Sequence, residues 1–166
     1  AAALLAKNAG TPLPDPAVTR FTLSFPANLD VSDWRLAPDG SALVLRASER
    51  GADKAAGNPS SRLYVRAFDS FGVRPLPGTE NAAAFFLAQD SRQVFFVTST
   101  SYASVNETLA RVALDGGSPA VTLAQVDPDW QSAASLPGGD VLAMRGGSEL
   151  IRIPAAGGAP LPLGRI

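Results

Sequence analysis

Leu36-Ala37-Pro38-Asp39-Gly40-Ser41-Ala42-Leu43-Val44-Leu45 (LAPDGSALVL) decides the fold, because the chain carries it three times in altered form. It returns as Leu87-Ala88-Gln89-Asp90-Ser91-Arg92-Gln93-Val94-Phe95-Phe96. One residue shorter after the turn, it returns again as Ser135-Leu136-Pro137-Gly138-Gly139-Asp140-Val141-Leu142-Ala143. Pro38 to Gln89 is 51 positions and Gln89 to Pro137 is 48. A second landmark follows each copy: Leu63–Asp69 (LYVRAFD), Leu109–Asp115 (LARVALD) and Leu150–Ala156 (LIRIPAA), at spacings of 46 and 41. Each second landmark ends in a turn (Ser70, Gly116-Gly117, Gly157-Gly158) and a Pro-containing run (Val73–Leu76, Pro119–Leu123, Pro160–Leu163). Two landmarks in fixed order, three times over, define an internal repeat.

Each repeat reads as four strands. In the first they fall near Asp33–Ala37, Ala42–Ala47, Arg62–Phe68 and Val73–Leu76. Pro38-Asp39-Gly40 supplies the tight turn between the first two: proline presets φ, aspartate bonds its own backbone, and glycine tolerates positive φ. The second strands (Leu43–Leu45, Val94–Val97, Val141–Met144) are apolar without alternation, which predicts burial on both faces. An antiparallel strand covered on both sides belongs to a sheet sandwiched between two others, the arrangement of propeller blades. The expected architecture is therefore all-β: about three four-stranded antiparallel blades of a partial β-propeller, near residues 31–80, 81–126 and 127–166.

The blades are preceded by an N-terminal segment and linker over residues 1–19, with three prolines in Gly10–Thr19. Ala1–Ala6 is apolar and is followed by Lys7, a pattern open to either a frayed helical start or the stump of a signal or membrane helix. Arg20–Phe25 (RFTLSF) alternates and predicts a half-buried strand. Length varies most between the second and third strands (Glu49–Ser61, Ser99–Glu107, Gly146–Ser148), which places the variable loops on one face.

Lys+Arg is 14 and Asp+Glu 15, a net charge of −1 without the basic excess of a nucleic-acid module. Cysteine and histidine are absent, which removes disulfides, thiol nucleophiles, histidine triads and Cys/His metal sites. No apolar run approaches the roughly 20 residues of a membrane span.

Leu36–Leu45 resembles the S-P-D-G blade signature of TolB-like (WD-repeat-like) bacterial β-propellers. Leu63–Glu80 (LYVRAFDSFGVRPLPGTE), running into Phe85–Arg92 (FFLAQDSR), is similar to the propeller region after the transmembrane segment of many bacterial receptor-type serine/threonine protein kinases. Gln89 stands for the signature's proline, Ala37 and Ala88 for its serine, and Gly138 for its aspartate. The resemblance implies a periplasmic or extracytoplasmic sensor or interaction region. It implies no kinase chemistry in these residues, which hold neither a nucleotide loop with its lysine nor an H-R-D loop.

Asp39 and Asp90, at matching positions, are candidates for a carboxylate pair, but turn stabilisation is the favoured reading. Asp127-Pro128-Asp129 has part of a cation loop without its remaining oxygens and glycine. The glycine doublets fit hairpin turns, since no helix with a lysine follows them. A serine–lysine pair would need Lys7 or Lys54, the only lysines. Asn106-Glu107-Thr108 matches a glycosylation sequon, and Trp34 and Trp130 sit at strand entrances, where blade packing is favoured over ligand stacking. The expectation is therefore no catalytic, cofactor-binding or metal-ligating residue. The chain reads as a non-catalytic scaffold for a protein, peptide or small-molecule ligand, with no nucleic acid, no membrane span and no cofactor. Two alternatives stay open: the gating propeller of a prolyl-oligopeptidase-like hydrolase whose catalytic domain lies outside these residues, and a periplasmic TolB-type envelope protein.

Three blades fall short of the four to eight of a closed propeller. A four-stranded face of about five residues per strand covers roughly 300 Å². Leaving it wet forgoes roughly 8 kcal/mol, comparable to a whole domain's stability of about 5–15 kcal/mol. The isolated chain is thus expected to be marginal, to need missing blades, or to self-associate. Light scattering with calorimetry checks this, and a monomeric, cooperatively melting 17.1 kDa species would contradict it.

Overall fold

A computed structural model describes residues 22–51, 61–99, 107–127 and 130–166. Twelve strands form three antiparallel sheets, each a four-stranded meander in chain order. The first blade comprises β1 (Leu29–Leu36), β2 (Ala42–Glu49), β3 (Arg62–Ala67) and β4 (Arg74–Pro75). The second holds β5 (Ala82–Leu87), β6 (Gln93–Thr98), β7 (Glu107–Ala113) and β8 (Val121–Val126). The third holds β9 (Trp130–Ser135), β10 (Val141–Arg145), β11 (Glu149–Ile153) and β12 (Leu161–Arg165). The described residues include no helix, and none that could cross a membrane. The architecture is a partial β-propeller.

The turn residues act as their chemistry dictates. Asp39 accepts at one carboxylate oxygen from the Ser41 amide (2.9 Å) and hydroxyl (2.7 Å). Asp90 accepts from the Arg92 amide at 3.0 Å, and Asp115 from the Gly117 amide at 2.8 Å. In the third blade Gly138 and Gly139 both take positive φ, 92° and 89°. Asp140 is thereby freed to accept from the Ala155 amide (2.7 Å) and from Arg152 Nε (2.6 Å).

Alternation across the central strands builds two cores, one on each side of the second blade. Val44, Leu63 and Val65 of the first blade meet Phe85, Val94, Phe96 and Val112 of the second. On the opposite face, Phe95, Val97 and Leu109 meet Val141 and Ile153 of the third blade. Phe95 and Phe96 are adjacent in sequence, fully buried, and belong to different cores. Polar links join the blades at their turns: the Asp39 amide donates to Ser91 Oγ (3.0 Å), the Gln89 amide to Ser135 Oγ (3.1 Å), and the Gly158 amide to the Leu123 carbonyl (2.8 Å).

The Pro-Leu-Pro-Gly-Thr-Glu run is the joint between the first two blades. Thr79 is fully buried; its hydroxyl accepts from the Leu63 amide (3.0 Å) and donates to the Leu76 carbonyl (2.7 Å). Gly78 turns with φ 74°, and a Cβ there would lie 3.1 Å from Ala120 Cβ on the second blade. Glu80 then pairs with Arg62 at 2.7 Å. A stretch that reads as a family signature is thus explained by one hydroxyl bridging two main-chain groups.

Several expectations need correction. Residues 22–25 form no strand: Pro26 and a turn closed by the Leu29 amide on the Pro26 carbonyl (3.0 Å) redirect the chain. Arg20 and Phe21 lie outside the described residues. Leu23 packs half-buried on the outer face of the first blade, with Leu29, Leu43, Leu45 and Tyr64. The two outer faces are therefore unlike. Leu43 and Leu45 are buried, whereas on the third blade Leu142, Met144 and Leu150 are only half-buried and Leu161 is exposed. The double burial predicted for the second strands consequently holds in β2 and β6 and fails in β10, where alternate residues lack a covering sheet. The fourth strand of the first blade is two residues long rather than four.

Replacing Thr79 by Val should leave the buried Leu63 amide without an acceptor and cost about 1–3 kcal/mol, whereas Thr79→Ser should retain most of the stability. Phe96→Ala should cost about 3–5 kcal/mol by opening a cavity between blades. Urea denaturation followed by circular dichroism measures both.

Candidate functional site

The first strands of the three blades converge on a cleft of about 400 Å³. Its walls come from Arg35 on β1, Ala84–Phe86 on β5, Val97 and Glu107 at facing ends of β6 and β7, and Ser132 and Ala133 on β9. The cleft lies at the end of the sheets from which the variable connection between β6 and β7 departs. Phe85 and Phe86 supply its aromatic lining, and Phe86 stacks on Phe95 with centroids 5.1 Å apart and planes 6° from parallel.

Two charges border this apolar lining. The Arg35 guanidinium carbon lies 5.9 Å from the Phe85 ring centroid, and its Nη2 lies 3.7 Å from an Asp33 carboxylate oxygen. Glu107 shares the face of Leu109 and Arg111, turned toward the third blade. Its carboxylate forms no hydrogen bond or ion pair with any described residue, and burial pushes its pKa up from the ordinary 4.5. On the facing sheet, Arg145 is occupied by Glu149 (2.7 Å) and Asp127 (3.1 Å), which raise its pKa.

A second cleft of about 500 Å³ lies at the other end of the same blade pair, between the turns of the second and third blades. Arg111 borders it, with Nη1 3.5 Å from Gln93 Oε1. At the matching positions of the third blade, Arg152 pairs with Asp140.

Asp39 and Asp90 belong to turns in contact, since the Asp39 amide reaches Ser91. Each carboxylate bonds within its own turn, and the bonds from Ser41, amide before hydroxyl, hold Asp39 below the usual carboxylate range. Asp140 is lowered likewise, by the Ala155 amide first and then Arg152. Asp127 pairs with Arg145, while Pro128 and Asp129 lie outside the described residues, as do Lys7, Lys54 and Asn106. Among the described residues no three metal-ligating side chains cluster. Trp34 departs from expectation. Its register with Leu45 turns it to the outer face of the first blade, 61% exposed, and among the described residues it belongs to neither inter-blade core. Trp130 opens β9.

No sequence motif points to the cleft residues as ligand-binding. One signal exists for Glu107: aligning the three second landmarks places it opposite Ser61 and Ser148, a carboxylate where the other repeats carry a hydroxyl.

No protein-family model and no curated protein matches the chain. Solved structures do. TolB from Acinetobacter baumannii aligns with 82% of this chain and 33% of its own, at 23% identity and TM-score 0.54. The β-propeller domain of the Trilobed protease from Pyrococcus furiosus aligns with 75% of this chain and 38% of its own, at 12% identity and TM-score 0.54. An acylaminoacyl peptidase of Pyrococcus horikoshii aligns with 82% and 26%, at 12% identity and TM-score 0.57. The chain thus spans well under two thirds of each of these structures. At these identities the likeness is one of fold, the TolB-like and peptidase-type β-propeller.

A carboxyl whose folded pKa exceeds its unfolded value leaves stability intact below about pH 4.5, and stability falls as pH rises through the folded value. Glu107→Gln should therefore match the parent's melting temperature near pH 3.5 and exceed it at pH 7. The gain should be no more than about 2 °C, because solvent screens a half-exposed charge. Calorimetry at the two pH values tests the sign.

Proposed function

We propose that the chain is a non-catalytic β-propeller scaffold that takes a ligand in the cleft between the first strands of its blades, within the extracytoplasmic part of a bacterial signalling receptor. The observation that carries the binding reading is the convergence of three blades on one apolar cleft bordered by opposite charges, Arg35 and Glu107. Ligand sites in folds of this kind are concave, mostly apolar and fitted with a few polar groups. The non-catalytic reading is supported by a chain without histidine or cysteine, in which Asp39, Asp90 and Asp140 are bonded within the blade framework. The receptor setting rests on the resemblance of Leu63–Arg92 to the propeller region of receptor kinases.

The likeness to peptidase structures favours one alternative, a propeller that gates a hydrolase domain outside this chain. Both readings use a propeller without its own catalytic chemistry, and they differ in what is joined to it.

Nuclear magnetic resonance with the labelled chain and a panel of amino acids, short peptides, amines and carboxylates tests the proposal. A subset should shift the amides of Ala84, Phe85, Ser132 and Ala133 and be recovered intact after prolonged incubation. If no compound shifts those amides, or if a peptide is hydrolysed, the proposal fails.

A further inference from the structure

The two charged groups that line the cleft, Arg35 and Glu107, differ in how they are partnered. Arg35 already has an anionic neighbour in Asp33 and an aromatic face in Phe85. Arg145, on the third blade, is paired with Glu149 and Asp127 and does not line the cleft. The Glu107 carboxylate, the one acidic group among the residues that line the cleft, makes no hydrogen bond or ion pair with any described residue. An ionised carboxylate removed from water without a partner is disfavoured until a cation meets it. Apart from Arg35 and Ser132 the remaining wall is apolar, and it includes Phe86, whose ring stacks on Phe95. Aromatic faces carry negative quadrupolar charge and attract ammonium groups within about 6 Å. A compact cation with an attached apolar group satisfies both surfaces at once. A free carboxylate would gain only from Arg35, whose charge is shared with Asp33.

Resting on the binding reading above, we propose that this cleft recognises a primary ammonium group carried on an apolar or aromatic moiety, with Glu107 as its counter-ion and Phe86 as its apolar wall. Two sources share that chemistry, a free arylalkyl amine and the N-terminus of a peptide that begins with an apolar residue. The volume of about 400 Å³ accommodates either.

Titration calorimetry with the full chain decides, using phenylethylamine, its N-acetyl derivative, phenylacetate and a tripeptide beginning with phenylalanine. Phenylethylamine should bind and shift the Ala84 and Ala133 amides. Its acetylated form, which lacks the charge, should bind at least tenfold more weakly. Glu107→Gln, nearly isosteric and relieved of an uncompensated charge, should lose tenfold or more in affinity while keeping its circular dichroism spectrum. Raising salt should weaken binding to the parent and leave the variant unaffected. Preference for the tripeptide over phenylethylamine assigns the peptide source, and the reverse assigns the free amine; either supports the proposal. Equal binding of the acetylated compound, tighter binding of phenylacetate, or an unchanged Glu107→Gln affinity overturns it and leaves the binding reading standing. If none of the four probes binds, the ammonium proposal is overturned, and the broader panel separately decides the binding reading.

Discussion

Burial of both faces of the second blade is the constraint on which the molecule rests. In β6, Phe95 faces one neighbouring sheet and Phe96 the other, and both are wholly removed from water. Burying one such aromatic contributes roughly 1.5–3 kcal/mol. The strand's period of two divides that contribution between two cores. Blade spacing, the approach of the first strands, and hence the cleft between them all follow from how these sheets stack. The polar contacts refine this stacking. The serine hydroxyls of Ser91 and Ser135 take main-chain amides from the preceding blade and fix how far each sheet slides over the next.

The repeat makes the architecture legible in the sequence alone. Proline, aspartate and glycine announce the hairpins because each has a local conformational reason to be there, and local reasons survive in a short window. The unbroken apolar runs of β2 and β6 announce burial on both sides, by two sheets at β6 and by one sheet and the Leu23 cluster at β2. The same inference overreaches at β10, because a sequence pattern states which residues are fit for burial and not whether a neighbour exists to bury them. Trp34 misleads for a related reason: an aromatic in a strand is fit for packing, but its register with Leu45 sends it outward.

The cleft is not legible in this way. Its residues lie at 35, 84–86, 97, 107 and 132–133, on five strands of three blades; those on the first strands recur at the repeat spacing (35 with 86, 84 with 132, 85 with 133) but differ in residue type, so they form no motif. Only the stacking of the sheets brings them together. Glu107 is informative once that stacking is known, since a half-buried carboxylate that pairs with no described residue is a cost to folding at neutral pH. The Pro-Leu-Pro-Gly-Thr-Glu stretch shows the converse. Its distinctiveness as sequence comes from structural need, centred on the buried Thr79 hydroxyl, and it borders no part of the cleft.

The inequality of the two outer faces gives the stack a direction. Detaching the third blade exposes one core, because its far side is already half wet; detaching the second would expose two. The first blade is held to the second by their shared core and the Asp39–Ser91 bond, and is overlaid by Leu23 on its outer side. Among these three sheets, opening energies should therefore be graded rather than uniform. Ser132 and Ala133, the cleft's contribution from β9, ride on the sheet that these residues cover on one face only. The site thus draws two walls from sheets buried on both faces and one from a sheet buried on a single face.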